Sequence, residues 1–371
     1  MNEKNFQLAA QLRHELHQHP ELSLQERWTK NHLMEFLKAH TTKFEIVDRD
    51  QWFYAVYRAE HPTKKVAFRG DFDAIPVEDE IDAPYRSQCP GVGHKCGHDG
   101  HVANLCLMAL EIEDNGADND VYLVYQHAEE IGGGGEACAQ LMEEEGIDEV
   151  YAFHNQSGMP LNAVILKNGT MCCASKGMEI TLTGTPAHAS TPEFGKNPAF
   201  AVAAIIDAIP GFISPENNKG IVLCTVIQVD LGERAFGVSA HKGKLLLTIR
   251  GEYEEEMDRL QSNLEALAKE QADKYGLACE FAYYDEFPET ANHAENADKV
   301  RAVCKALDIP VKEQELPMRG SEDFGYFTKK TKGAIFWVGN GEEHPPVHNA
   351  KFDFVDATMK TATAVFLELA K

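Results

Sequence analysis

The chain has 371 residues, of which 43% are hydrophobic and 25% charged, a balance typical of a globular protein with a sizeable core. It contains no run of 18 apolar residues, so we expect no membrane span. The net charge of −24 disfavours nucleic acid and anionic membranes as partners, because both would be repelled.

The length suggests two domains, and the cysteines suggest a reducing compartment. The nine cysteines have no framework spacing, and the N-terminus carries no apolar signal segment. We therefore expect free thiols and a cytoplasmic protein.

The first part of the chain predicts two helices followed by buried strands. Residues 6–16 and 26–40 place apolar side chains at helical spacing. Short apolar runs bounded by polar turns come later, at 65–70, 121–126, 149–155 and 333–341. Runs that are apolar on both faces and alternate with helical segments are typical of parallel strands covered by helices. The predicted fold class is therefore α/β.

A different pattern occupies residues 176–285. Strand-like and helical segments follow one another in the order βαββαβ, which predicts an α+β unit of the ferredoxin-like type. Because the strand at 333–341 returns to the first sheet, this unit is predicted to be inserted into the first domain. The predicted domains are 1–175 with 286–371, and 176–285.

The stretch "HKCGHDGH" at 94–101 has three readings: a metal site, a reactive thiol or a polar loop. A nucleophilic Cys96 would need a base and an orienting partner, which nearby histidines could supply. A metal site would need three or more ligands converging from different segments. Short motifs of this kind are often incidental when they stand alone.

Chemically active side chains also follow the other predicted strands. Glu129 and Glu130 come after 121–126, His154 closes 149–155, and His344 and His348 lie beyond 333–341. Sites in open α/β sheets form outside the carboxyl ends of the strands, so these side chains should converge. The convergence favours the metal site over the other two readings.

The Glu129–Glu130 pair carries a geometric argument. Consecutive strand residues point to opposite faces, so both carboxylates can serve one site only from a turn after the strand. The glycines at 132–135 would permit that turn. One carboxylate could then bind metal while the other acts as a general base, the pairing that hydrolysis of a stable bond needs.

The chain resembles the M20 metallopeptidases, in particular the branch of N-acyl-amino-acid and indole-acetyl-amino-acid amidohydrolases and aminobenzoyl-glutamate hydrolases. The resemblance runs nearly end to end and rests on ordered motifs: "RHELHQHPELSLQE" at 13–26, "RGDFDAIP" at 69–76, "GHKCGHDGH" at 93–101, "QHAEEIGGGG" at 126–135, "FHN" at 153–155, "GTPAHAS" at 184–190, "GSEDFGYF" at 320–327 and "HNAKF" at 348–352.

The resemblance implies a role for each matching position. Two divalent metal ions, with zinc, manganese, cobalt or nickel as the options, would be held by Cys96, His98, Glu130, His154 and His348, the thiolate bridging both. Glu129 matches the catalytic base and Asp71 an acid behind the ligands. His188 matches a histidine that stabilises the oxyanion in a partner subunit, so the inserted domain would serve as a dimerisation and lid module of a homodimer.

The sequence also suggests roles for residues outside the ligand set. Arg250 could hold a substrate carboxylate bidentately, although an exposed arginine at a strand end is an equal alternative, and Asn197 and Ser321 are predicted to line the substrate site with it. His94, His101 and His344 match no ligand position, Asp99 is read as an orienting group, and Glu322 and Asp323 are expected to shape the pocket floor.

Two positions depart from the family pattern. His127 stands where relatives have proline, and Gly237, in "GVSA" at 237–240, stands where they have an asparagine that helps to hold substrate. The departure at Gly237 leaves the acyl and side-chain preference open. It also leaves open the possibility of a degenerate relative that binds a small amide or amino acid without turnover.

The resulting hypothesis is a metal-dependent amidohydrolase acting on N-acyl amino acids or related small peptide-like conjugates. The alternatives are that degenerate binding protein and hydrolysis by a Cys96 nucleophile, which would survive a chelator. The expected partner is a small molecule, with no nucleic acid and no membrane.

Overall fold

The computed structural model describes residues 1–371 and divides into two compact units. The first unit comprises Met1–Met171, Thr290–Leu316 and Asp323–Lys371, and the second comprises Cys172–Glu289 and Pro317–Glu322. The second unit extends beyond 176–285 because the first strand of its sheet begins at Ala174 and the last ends at Phe287. None of the helices is both long and apolar enough to cross a membrane.

Helices and strands follow one another along most of the chain. The helices are α1 Glu3–Gln18, α2 Arg27–His40, α3 His98–Asn115, α4 Gly135–Glu144, α5 Ala199–Phe212, α6 Glu254–Tyr275, α7 Ala294–Ala306, α8 Gly325–Lys330 and α9 Ala357–Leu369. The strands are β1 Phe44–Arg49, β2 Trp52–Tyr57, β3 Lys65–Asp71, β4 Asp120–Gln126, β5 Glu149–Ser157, β6 Val164–Leu166, β7 Gly169–Cys172, β8 Ala174–Thr183, β9 Val222–Leu231, β10 Lys242–Gly251, β11 Ala278–Phe287, β12 Thr290–Asn292, β13 Val311–Glu313 and β14 Lys332–Gly341.

The first unit is built on an eight-stranded sheet in the order β1-β2-β4-β3-β5-β14-β6-β13. Its four central strands, β4, β3, β5 and β14, run parallel, whereas β1 and β2 form an antiparallel hairpin at one edge. Every residue of β4 is buried, as expected for a strand covered on both faces. The parallel arrangement brings the carboxyl ends of β3, β4, β5 and β14 to one edge of the sheet.

The core of the first unit is formed by helices that cover this sheet. Helix α3 is buried along almost its whole length, and α1 and α9 pack against it. Phe68 of β3 lies against Phe366 of α9, with ring centroids 4.7 Å apart. This packing holds the N-terminus of α3 beside the carboxyl ends of the central strands.

The second unit is a four-stranded antiparallel sheet in the order β11-β8-β10-β9 with α5 and α6 on one face. Its elements follow in the order βαββαβ. In β10 the buried residues alternate, so that Leu245, Leu247 and Ile249 face the helices. The sequence-based expectation of a ferredoxin-like unit and a mostly parallel first sheet is confirmed.

Candidate metal centre

Cys96 and His98 lie at the N-terminus of α3 on either side of Gly97. Gly97 has φ +102°, and a Cβ there would lie 2.2 Å from the Asn155 side-chain oxygen. Only glycine is compatible with both the backbone conformation and this close approach. The glycine therefore lets the chain turn sharply between the two side chains.

Glu129 and Glu130 lie on the turn that follows β4, as expected from the strand geometry. Ala128, just before them, has φ +50°, and the backbone N–H of Gly133 donates to the Ala128 carbonyl at 2.9 Å. A Cβ at Gly134 would lie 1.7 Å from the His127 carbonyl oxygen, so the turn requires glycine there. Both carboxylates reach His98: Glu129 Oε2 and Glu130 Oε1 each lie 3.8 Å from its Nε2.

The remaining two histidines come from β5 and from the segment after β14. His154 lies inside β5, which continues to Ser157, rather than at the strand's end as the sequence pattern predicted. Its Nδ1–H donates to the Asn155 carbonyl at 2.8 Å, which leaves Nε2 as the free lone pair, 3.5 Å from Cys96 Sγ. His348 has φ +64°, and its Nε2 lies 3.4 Å from Glu130 Oε2.

These five side chains form two overlapping sets of potential ligands that share Cys96. One set is Cys96, His98 and His154, and the other is Cys96, Glu130 and His348. In each set the ligand atoms lie within 4.8 Å of one another. A shared sulfur with imidazole and carboxylate neighbours is a donor set that suits divalent transition metals.

Two polar atoms of this cluster test whether a metal fits. His98 Nε2 and Glu130 Oε1 are buried and have no hydrogen-bond partner. The other nitrogen of His98, Nδ1, faces the Asp73 carbonyl oxygen at 3.0 Å and Asp73 Oδ1 at 3.1 Å, so it carries the proton. Nε2 therefore presents a lone pair into the cluster, and a cation would satisfy both orphaned atoms.

Asp71 lies directly behind these ligands. Its Oδ1 accepts from His101 Nδ1 at 2.6 Å, and Arg69 Nη1 lies 2.7 Å from Oδ2. Although burial opposes ionisation, Arg69 and the neighbouring histidines hold the pKa of Asp71 well below its usual range. Asp71 is therefore a buried carboxylate 3.8 Å from His98 Nε2.

Protonation of the cluster follows from burial and from mutual contacts. Burial and the Glu130 carboxylate raise the pKa of the Cys96 thiol, the opposite of what a free thiolate nucleophile needs. Burial alone would lower the pKa of His98, but Asp71 and Cys96 outweigh it and hold that pKa well above its usual range. Because metal ligands must be deprotonated, metal binding here is coupled to proton release.

The histidines that match no ligand position in the sequence do not complete either ligand set. His101 is held between Asp71 and the Asn155 side-chain oxygen, 2.8 Å from its Nε2. His94 is fully enclosed, and burial lowers its pKa to about 4. His344 contacts Ser157 Oγ at 3.1 Å.

Asp99, read from the sequence as an orienting group, points away from the ligands. Its Oδ2 lies 2.8 Å from His17 Nδ1 and 3.3 Å from Arg13 Nη1, both on α1. It therefore connects the start of α3 to α1 and does not contact a ligand side chain.

The second unit carries the other sequence-predicted residues. His188 is exposed, and its Nδ1 accepts from the Ser190 backbone N–H at 3.1 Å. Asn197 Oδ1 accepts from the Ala199 N–H at the start of α5, at 2.9 Å. Arg250 Nη1 donates to Ser321 Oγ at 2.8 Å and to the Arg319 carbonyl at 2.9 Å.

Sequence reasoning missed several residues that support the cluster. Asp73 contacts His98 and also accepts from the Glu130 N–H at 2.9 Å. Asp323 was expected to shape the pocket floor, and its contacts with Arg69 at 2.6 Å and with the Gly135 N–H at 2.8 Å were not foreseen. Arg69 and Asp73 stand in the "RGDFDAIP" motif, which was the available signal. Asn155 and Gln126 likewise stand in the "FHN" and "QHAEEIGGGG" motifs, but an ordinary amide carries no chemistry that marks it as a supporting residue.

Fold and cluster together define a metal-dependent hydrolase of the α/β class. The sequence profile of peptidase family M20/M25/M40 matches residues 67–371, and the chain belongs to this family. The predicted family resemblance is therefore confirmed.

Three known proteins illustrate the membership. The chain is 26% identical to the N-acetylcysteine deacetylase of Bacillus subtilis (strain 168), covering 97% of this chain and 95% of the relative. It is 27% identical to the hippurate hydrolase of Campylobacter jejuni, covering 97% and 94%. A dinuclear metal binding peptidase of the M20 family from Bacillus subtilis has the same fold, with a TM-score of 0.85 at 23% identity over 100% of this chain and 98% of that chain. The protein is a hydrolase of amide bonds that uses divalent metal.

Proposed function

We propose that the protein hydrolyses the amide bond between an acyl group and an amino acid, or a related small peptide-like bond. The observation that carries the proposal is the pair of ligand sets sharing Cys96, with the Glu129 carboxylate 3.8 Å from one of the ligands. Two relatives are named for N-acylated amino acids, N-acetylcysteine and hippurate, which supports this substrate class.

In this proposal five side chains hold two divalent ions. Cys96, His98 and His154 would hold one ion, and Cys96, Glu130 and His348 would hold the other. Bound there, the ions would polarise the amide carbonyl and lower the pKa of water. Mixed sulfur, nitrogen and oxygen donors are compatible with zinc, manganese, cobalt or nickel.

Glu129 is the proposed general base. It stands next to the ligand Glu130 on the same turn, and its carboxylate lies close to His98 and Glu130 without belonging to either of the two sets that share Cys96. It takes a proton from the attacking water and returns it to the nitrogen of the leaving amine. Asp71, held by Arg69 and His101, is proposed to keep a negative charge 3.8 Å from His98 Nε2, while Asp73 holds the other nitrogen of that ring and so fixes its orientation.

His188 is the proposed oxyanion donor. Because a backbone N–H can only donate, the Ser190 N–H bond to His188 Nδ1 leaves the proton of the neutral ring on Nε2. That Nε2–H is available to a developing oxyanion. We propose that it serves the metal centre of a partner subunit, with the second unit forming the dimer contact.

Three further residues of the second unit are proposed to bind substrate. Arg250 is half-buried and its guanidinium is oriented by Ser321 Oγ, which in turn donates to Ser175 Oγ at 2.8 Å. A guanidinium held in this way is suited to a carboxylate, such as that of an amino acid leaving group. Asn197 is proposed as a polar neighbour of the substrate.

A substrate screen tests the proposal against its two alternatives. Protein loaded with Zn²⁺, Mn²⁺ or Co²⁺ is incubated with N-acetyl, N-benzoyl and indole-acetyl amino acids, with and without a chelator, and release of free amine is measured. The proposal predicts release that the chelator abolishes. Ligand binding without product would support a degenerate binding protein, and release that survives the chelator would support a Cys96 nucleophile.

A further inference from the structure

A buried lysine lies directly beside the metal ligands and has no part in the chemistry above. The side chain of Lys95 is completely enclosed, and it immediately precedes Cys96. Its Nζ contacts the Asp79 carboxylate and donates to the Phe352 carbonyl at 2.9 Å. Its own carbonyl accepts from the His348 N–H at 2.6 Å. Lys95 therefore connects the segment of Cys96 to the segment of His348 twice.

His348 needs such support more than the other ligands do. Its backbone has φ +64°, a conformation that is unfavourable for a residue with a side chain. Its side chain is 53% exposed, whereas that of His98 is completely buried. A strained and poorly packed residue keeps its conformation only when the surrounding structure fixes it.

The partner of Lys95 is itself held in place. Asp79 Oδ2 lies 3.1 Å from His17 Nε2 and accepts from the Ser87 N–H at 2.8 Å. Asp79 Oδ1, which contacts Lys95, also accepts from the Ile81 N–H at 3.1 Å. The ammonium group is thus anchored on one side to a fixed carboxylate and on the other to the backbone four residues beyond His348.

We propose that Lys95 is a positioning residue for the ligand set of Cys96, Glu130 and His348. By fixing the 348–352 segment against the start of α3, it holds His348 where the second ion binds. The set of Cys96, His98 and His154 does not depend on this segment. The inference rests on the ligand sets proposed above and extends them to a residue outside the donor atoms.

Metal titration of Lys95→Met tests the inference without measuring activity. Wild-type protein, Lys95→Met and His348→Ala are titrated with Co²⁺, and stoichiometry, affinities and the thiolate-to-cobalt absorption are recorded. We expect two ions in the wild type. In Lys95→Met we expect one ion to bind at wild-type affinity, with the thiolate absorption retained. The affinity for the second ion should fall at least tenfold, as in His348→Ala.

For the single variant Lys95→Met, either of two results would overturn the proposal: both ions bound at wild-type affinity, or both ions lost from folded protein. If His348→Ala keeps both affinities, the ligand sets themselves are wrong. If His348→Ala loses one ion and Lys95→Met loses none, the ligand sets stand and only the role of Lys95 fails.

Two further variants separate positioning from folding. Lys30→Met is the matched control, because Lys30 is also a buried lysine, paired with Asp48 and the Asp50 carbonyl away from the ligands, and it should keep both ions. Lys95→Met leaves the buried Asp79 carboxylate without its positively charged partner. The double variant Lys95→Met/Asp79→Asn therefore removes both charges together. The double variant should fold and show the same tenfold weakening of one ion, and wild-type affinity for both ions in it would also overturn the proposal.

Discussion

Gly134 shows how one residue fixes the turn that carries Glu129 and Glu130. A Cβ there would overlap the His127 carbonyl at 1.7 Å, and backbone cannot move aside cheaply. We expect Gly134→Ala to lower the free energy of unfolding by about 1–3 kcal/mol and to weaken metal binding. Gly133→Ala is the control, because its Cβ would meet nothing closer than 3.4 Å. Denaturant unfolding measures the free energy of unfolding of both variants. Identical unfolding curves for the two would contradict the requirement for glycine at position 134.

Glu26 gives a pH-dependent prediction. It is 6% exposed, its Oε1 accepts from the Ala128 N–H at 2.8 Å, and burial together with Asp73 raises its pKa from 4.5 to about 7. With a raised pKa in the folded state, its contribution to stability is present below about pH 4.5 and is lost as pH rises through about 7.

Glu26→Gln should remove this loss while keeping the acceptor oxygen. At pH 8 the variant should exceed wild type in unfolding free energy by up to about 3 kcal/mol, and near pH 4.5 that gain should vanish. Denaturant unfolding in a chelator measures both values without the contribution of metal. A difference between variant and wild type that does not change with pH would rule out a raised pKa at Glu26.

Strand β9 is the element that we propose for the dimer contact. It pairs only with β10 and leaves its other edge open, and it exposes Ile227 by 57% and Val229 by 40%. An open edge with exposed apolar side chains is suited to a second copy. We expect Ile227→Lys to shift the protein to monomers in analytical ultracentrifugation. Leu316→Lys, at an exposed leucine of the first unit, should not, and an unchanged mass for Ile227→Lys would exclude this edge from the contact.

Elements with a strong local pattern were predictable from the sequence. The alternation in β10 and the long amphipathic α6 were sufficient to predict the ferredoxin-like order. Helices cover one face of this sheet, so buried and exposed residues alternate along its strands and apolar residues recur at helical spacing in α6. The β1–β2 hairpin at the edge of the large sheet was not predicted. Every residue of β2 except Tyr57 is buried, so the strand shows no alternation that reveals its direction or partner.

At the scale of the whole molecule, the ligand cluster was predictable in outline and its support was not. Converging strand ends and family motifs indicated the five proposed ligands. The contacts of His101 with Asp71 and Asn155, and of Arg69 with Asp323, join residues from distant parts of the chain. Such contacts depend on tertiary packing, which leaves no local signature in the sequence.

Metal binding should also stabilise the first unit as a whole. The five proposed ligands come from the start of α3, the turn after β4, strand β5 and the segment after β14, so bound ions would link four separate segments. Saturating metal should raise the unfolding temperature by roughly 5 °C or more relative to chelated protein. Differential scanning calorimetry measures this shift, with His98→Ala as the control in which it should be reduced. An equal unfolding temperature with and without metal would contradict the proposed centre.

The most direct test of the central claim is Glu129→Gln, measured for both turnover and metal content. The amide keeps the shape of the side chain but cannot take a proton. With a substrate identified in the screen, we predict two bound ions per chain and a kcat reduced by about 100-fold or more, the range expected when a general base is removed. Wild-type turnover in metal-loaded Glu129→Gln would contradict this prediction.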